Sequence, residues 1–135
     1  MTPRPRNPRI PREPGDRKLT FPQRMKLHGA KAFAAVYGGR VRAMAGLLTV
    51  YAIPNDLGHH RLGLSVPRAG GTAIRRNTIK RRLREAFRQS QHAIPGGYDL
   101  AIRVRPHEPR RVDEYEASLH EAMRKLHETW QKRKD

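Results

Sequence analysis

Between Ile74 and Arg88, the cations Arg75, Arg76, Lys80, Arg81, Arg82, Arg84 and Arg88 stand among fifteen residues whose only acid is Glu85. Arginine offers phosphate a planar two-point hydrogen bond and lysine a point charge, so this composition suits a polyanion. The same stretch also carries a core. At about 100° per residue, Ile79, Leu83, Ala86, Phe87, Ser90 and Ile94 fall on one arc of ~100°, while Lys80, Arg84, Asn77, Arg88 and Arg81 fill the next ~100°. A row of like charges repels itself on an isolated helix, and a phosphate backbone is the counterion that removes the repulsion. A merely solvated basic face is the competing explanation. Asn77, inside the row, can reach a sugar or a base edge. Just upstream, Gly70 and Gly71 lie between cations at a strand-to-helix junction. That pair is either a tight turn or part of a phosphate site at free helix amides.

Other chemistries are poorly represented. The chain has no cysteine, which removes disulfides, thiolate zinc sites and cysteine nucleophiles. It has no HExxH, no Gly-x-Ser-x-Gly and no compact carboxylate cluster for catalytic metals. No catalytic and no metal-binding residue is assigned to it. Twenty-nine Lys and Arg against twelve Asp and Glu give a net charge of +17, and the partner expected for that excess is a polyanion. With no apolar run of ~18 residues and no export signal, nucleic acid is expected rather than a membrane or a small-molecule substrate, in a cytoplasmic protein.

The elements that must position the basic row can be read from periodicity. Residues 1–19, rich in Pro and Arg, read as a disordered basic arm, either a solvated tail or an auxiliary RNA contact. Residues 20–135 read as one domain. Phe33, Val36 and Tyr37 recur at helical spacing before Gly38 and Gly39, a pair expected to stop the helix in the left-handed conformation. "GLLTVYAIP" and "HRLGLSVPR" read as strands joined through "NDLGHH", which predicts an antiparallel hairpin with His59 and His60 solvated in its turn. After the basic helix, "YDLAIRVRP" is a third strand. The last helix opens with Asp113 and Glu116 in a capping-box pattern, and Tyr115, Leu119, Met123, Leu126 and Trp130 make its apolar stripe.

At this point the residues carry a family resemblance. "RRNTIKRRLREAFR" resembles the signature of the protein subunit of bacterial ribonuclease P, Arg-Asn-x-x-Lys-Arg-x-x-Arg-Glu, matched by Arg76, Asn77, Lys80, Arg81, Arg84 and Glu85. "RLGLSVPR", "GGYDLAIRVRP" and "AFAAVYGG" are similar to flanking segments of that family, so the likeness runs from about Phe21 into the last helix. The chain departs from the pattern at Thr78, where Arg is usual, and at Ala69, Gly70 and Thr72, in a segment usually richer in Lys; Arg75 and Arg82 are candidates to compensate.

The resemblance implies an α/β (α+β) two-layer sandwich, a small mixed sheet with helices, similar to the second domain of a small-subunit ribosomal protein and containing a left-handed βαβ crossover. It implies an endoribonuclease subunit whose partner, the ribonuclease P RNA, performs Mg2+-dependent hydrolysis that removes the 5′ leader of precursor tRNA, with Mg2+ bound mainly by the RNA. It further implies RNA contacts by Arg76, Asn77, Lys80, Arg81 and Arg84, and the neighbouring cations Arg68, Arg75 and Arg88 are expected to join them. Phe33 and Tyr37, faced by Tyr51, are implied as aromatics lining a cleft for the single-stranded leader. Plain core packing explains those three rings equally well. A ribosomal or other structured-RNA-binding protein remains the alternative. A DNA reader is disfavoured because the basic helix is committed to a core on one side.

Overall fold

Alternation along two strands builds the sheet. In β2 (Leu48–Pro54) the residues Leu48, Val50 and Ala52 face one side, as do Tyr98, Leu100, Ile102 and Val104 of β4 (Tyr98–Val104). Antiparallel pairing sets Val50 opposite Ile102 and Ala52 opposite Leu100, so the inward side chains meet as cross-strand pairs. β1 (Arg42–Ala45) adds antiparallel to β2, and β3 (Arg61–Ser65) adds parallel to β4, in the order β1-β2-β4-β3. The computed structural model describes residues 23–93 and 95–134; the arm expected over 1–19, Phe21 and Ile94 lie outside them.

Three helices complete the fold: α1 (Gly29–Gly38), α2 (Ala73–Ser90) and α3 (Val112–Lys134). The connection between the parallel neighbours β3 and β4 runs through α2, giving the βαβ unit. Helices α2 and α3 pack side by side on one sheet face. There Ile79, Leu83, Ala86 and Phe87 join Tyr115, Leu119, Ala122, Met123 and Leu126 in the main core. The arc predicted for the basic helix is therefore the arc that is buried, Ser90 included. Helix α1 lies against the opposite face, where Val36 packs with Leu27 and Ala101. The architecture is the mixed α/β sandwich expected, with α1 on the reverse side of its sheet. Among the described residues no helix is long and apolar enough to cross a membrane.

Several expectations are corrected. β2 and β3 run in opposite directions but do not form a hairpin, because β4 is inserted between them. The connecting segment 55–60 crosses the start of β4, a span of about two strand spacings, ~10 Å, that a two-residue turn cannot cover. Asn55 pins the crossing: its amide N–H donates to Gly97 O (3.1 Å) and its side chain donates to Asp99 and to His59 O. The true hairpin partner of β2 is β1, four residues long, which periodicity did not reveal. His60 is not solvated but 2% exposed, its Nδ1 accepting the Tyr98 amide N–H at 3.0 Å and its ring stacked on Tyr98.

At the end of α1, Gly39 is right-handed (φ −68°), and Arg40 takes the positive φ of 60°. Glycine is needed at 39 for space, since a Cβ there would stand 2.5 Å from Ile53 Cγ2. The cap of α3 is displaced from the predicted pair. Glu114, not Glu116, reaches back to the Arg111 amide, at 3.4 Å. The apolar stripe of α3 is core as expected, and Trp130 is partly buried, its Nε1 donating to Ala52 O at 2.9 Å.

Candidate nucleic-acid interface

Helix α2 is anchored before it is charged. Gly71 turns the chain into the helix with φ +124°, a conformation suited to glycine; Thr72 then caps the helix, its Oγ1 accepting the Arg75 amide N–H at 3.1 Å. Thr78, in the place where the family resemblance leads one to expect Arg, turns its hydroxyl back to donate to Ile74 O at 2.9 Å. Burial of Ile79, Leu83, Ala86 and Phe87 fixes the rotation of the helix.

The seven cations are thereby sorted. Arg76, Lys80 and Arg84 recur every fourth residue along one flank, a row of about 12 Å at 1.5 Å per residue. None of the three has an acidic partner among the described residues, and Arg76 Nε is buried without an acceptor. Leaving such a donor unmet costs about 1–3 kcal/mol. Arg81 and Asn77 are exposed beside this row, and Arg68 is exposed in the 3₁₀ turn (Arg68–Gly70) before the helix.

The remaining cations are engaged. Arg88 forms a two-point ion pair with Glu85, 2.6 Å at its shorter contact, which holds that carboxyl below the ordinary range through the Arg88 hydrogen bond first. Arg75 pairs with Glu108 at 3.0 Å, and Arg82 donates to Arg110 O at 2.9 Å. Arg75 and Arg82 thus sit on the opposite flank from the row, toward the segment entering α3, and at three residues before and four after Thr78 they share its side of the helix.

The second predicted set, Phe33, Tyr37 and Tyr51, is brought together on the α1 side of the sheet. Tyr37 and Tyr51 meet edge to face with centroids 4.9 Å apart, and Phe33 lies 6.3 Å from Tyr37. All three rings are only partly buried and pack against the small cluster of Leu27, Val36 and Ala101. Strand register therefore places Tyr51 facing α1. Beside the rings opens a cavity of about 430 Å³ lined by Tyr37, Arg40, Arg42, Tyr51 and Arg103.

Those three arginines were missed from the sequence. The Arg103 guanidinium lies 4.5 Å above the Tyr37 ring and 5.6 Å from that of Tyr51, and Arg42 donates to the Tyr51 hydroxyl at 3.4 Å. For Arg103 the signal was present: it alternates with Ile102 and Val104 and so faces away from the main core. Arg42 was hidden in the unrecognised β1, and Arg40 in the turn before it. Aromatic faces interleaved with guanidinium groups offer the chemistry that stacks on unpaired bases and pairs with phosphates.

Residues 21–127 match the family model described as Ribonuclease P. The chain is 39% identical over 89 residues to the ribonuclease P protein component of Photorhabdus laumondii, covering 65% of this chain and 74% of that protein. It is 41% identical over 86 residues to that of Photobacterium profundum, covering 63% and 73%. Among solved structures, the RNase P protein of Staphylococcus aureus superposes with a TM-score of 0.64 at 26% identity, covering 74% of this chain and 93% of that one. The RNase P protein of Thermotoga maritima gives 0.56 at 28% identity, covering 75% and 93%.

Proposed function

The chain belongs to the ribonuclease P protein family, and from that premise we propose how it serves as the protein component of the endoribonuclease: one surface holds the ribonuclease P RNA and another holds the 5′ leader of precursor tRNA. The row Arg76, Lys80 and Arg84 meets the phosphates of the RNA component, with Arg68, Asn77 and Arg81 beside it. The observation that carries this reading is that these three side chains, with Arg81 exposed beside them, stand free of acids on one flank of a helix whose cations Arg75, Arg82 and Arg88 are engaged. On the reverse face, Phe33, Tyr37 and Tyr51 stack on unpaired leader bases, at about 1–3 kcal/mol per base and without demanding a sequence. The protein positions and neutralises, and the RNA performs the cleavage. A cytoplasmic place of action follows from that substrate.

Magnesium belongs to the RNA side of this division. The contact flank is built of Arg and Lys, and Glu85, the acid of α2, is already taken by Arg88 and Gln89. Such a surface does not fit a hard dication, which takes oxygen ligands. Its own contribution is to lower the repulsion between RNA phosphates.

The test is cleavage of precursor tRNA at low magnesium by a bacterial ribonuclease P RNA, with no protein, with the wild-type chain, and with an Arg76→Ala, Lys80→Ala, Arg84→Ala variant. Wild type is expected to restore correct 5′ processing and the variant to lose most of that stimulation. A variant as active as wild type would place the RNA contact elsewhere. For the cleft, Tyr37→Ala is expected to reduce the preference for leader-bearing over mature tRNA, and an unchanged preference removes the stacking role.

A further inference from the structure

On the flank of α2 opposite the free row, the segment 105–111 between β4 and α3 brings Arg105, Arg110 and Arg111 together, Arg110 against Arg82, with Glu108, Asp113 and Glu114 as the nearby acids. Glu108 is paired with Arg75 and Asp113 with Arg111, and Glu114 accepts the Arg111 amide N–H. The side chains of Arg105 and Arg110 are left exposed with no partner among the described residues.

The segment is also held rigid by its own hydrogen bonds. His107 Nδ1 lies 2.7 Å from Arg105 O, and a carbonyl only accepts, so Nδ1 carries the proton. In the neutral ring Nε2 then accepts from the Tyr115 hydroxyl (2.7 Å), whose oxygen in turn accepts the Arg110 amide N–H (3.0 Å). Tyr115 is 3% exposed in the core, so this relay ties both ends of the cationic segment to the molecule's interior. Arg105 N–H donates to Leu47 O at 3.0 Å, and Arg82 clamps the far end through Arg110 O. A fold that fixes unneutralised cations side by side works against their repulsion. A rigid array loses less freedom when a ligand arrives.

We propose that residues 105–111 form a second contact surface for the ribonuclease P RNA, in which Arg105 and Arg110 each take a backbone phosphate, so that α2 is gripped by RNA on both flanks. The occupant is the RNA component rather than the leader, because Glu108 and Arg110 are tied to Arg75 and Arg82 of α2 while the aromatic cleft lies on the other sheet face. The inference rests on the reading of α2 as the RNA-contact helix.

The experiment is a titration of ribonuclease P RNA with the full chain at several salt concentrations, comparing wild type, Arg105→Ala/Arg110→Ala, and the Arg76→Ala/Lys80→Ala/Arg84→Ala variant. Each lost phosphate contact lowers the slope of log K against log salt by about 0.9 for a duplex. The loop double variant is therefore expected to lose roughly two units, with its preference for leader-bearing over mature tRNA unchanged. Tyr115→Phe keeps every charge and breaks the relay. It is expected to weaken binding about threefold to tenfold, by loss of pre-organisation, at an unchanged slope. A wild-type slope in the loop variant overturns the proposal, provided the row variant lowers it. If both variants keep the wild-type slope, the reading of α2 fails as well. A loss of leader preference in the loop variant assigns the segment to the substrate instead and also overturns it.

Discussion

Asp99 brings a carboxylate onto the sheet face that also carries Arg61 and Arg103. It is 6% exposed and receives Arg61 Nε and Nη2 at 2.7 and 2.6 Å and Asn55 Nδ2 at 2.9 Å. Burial alone pushes its pKa up, but the hydrogen bonds from Arg61 and Asn55 outweigh it and hold the carboxyl below the ordinary range. Because the folded value lies below the unfolded one, near ~3.9, the stabilisation is complete above that pH and is lost as pH falls through the lower folded value. Acid unfolding of the wild-type chain should therefore steepen below about pH 4. Asp99→Asn should flatten that limb and cost about 1–2 kcal/mol at neutral pH, less than the ~3–5 of a fully buried pair because Arg61 is partly in water. Denaturant melts across the acid range check both. A variant with the wild-type acid limb would assign the loss to other carboxylates.

At the scale of elements, the aromatic cleft proposed for the leader depends on a residue with no side chain. Gly63 on β3 lies beneath α1, where a Cβ would stand 2.3 Å from Phe33 Cζ and 3.2 Å from Leu27 Cβ. Gly63→Ala must push the Phe33 ring off the sheet, at about 1–3 kcal/mol, the range for overpacking. Leader preference should fall with it while affinity for the RNA component holds, and equilibrium melts with the two binding assays separate these effects. An unshifted melt would mean that α1 repacks freely. Nothing in "RLGLSV" announced this role, since Gly63 fits the polar side of the alternation, and the ring that needs the space is thirty residues earlier. Position in the chain explains the rest. The core arc of α2, the stripe of α3 and the alternation of β4 are local patterns and were legible. The separation of β2 from β3 was not, because the strand that comes between them, β4, is supplied some forty residues later. His60 was misread for the same reason: the groups that bury it, Tyr98 and Phe87, are distant in sequence.

For the whole molecule the dominant quantity is the net charge of +17. It acts with opposite sign on folding and on binding. In the free chain like charges oppose compaction, and salt screens them over a Debye length of about 10 Å at 0.1 M. In the complex the same charges displace counterions from RNA, and salt reverses that gain. Raising monovalent salt from 0.05 to 0.2 M should therefore raise the melting temperature of the free protein by roughly 2–5 °C, the shift expected for ~1 kcal/mol in a domain of this size. Over the same interval affinity for the RNA component should fall by about 10³–10⁵ if six to ten phosphates are engaged. The row on α2, its exposed neighbours and the segment 105–111 supply enough cations for that number. Bound RNA stabilises the fold by mass action, so the melting temperature of the complex should fall with salt where that of the free protein rises, and the two curves should converge. Parallel rises in both would mean that the RNA is held mainly by uncharged contacts, which the segregation of Arg76, Lys80 and Arg84 on one flank gives no reason to expect.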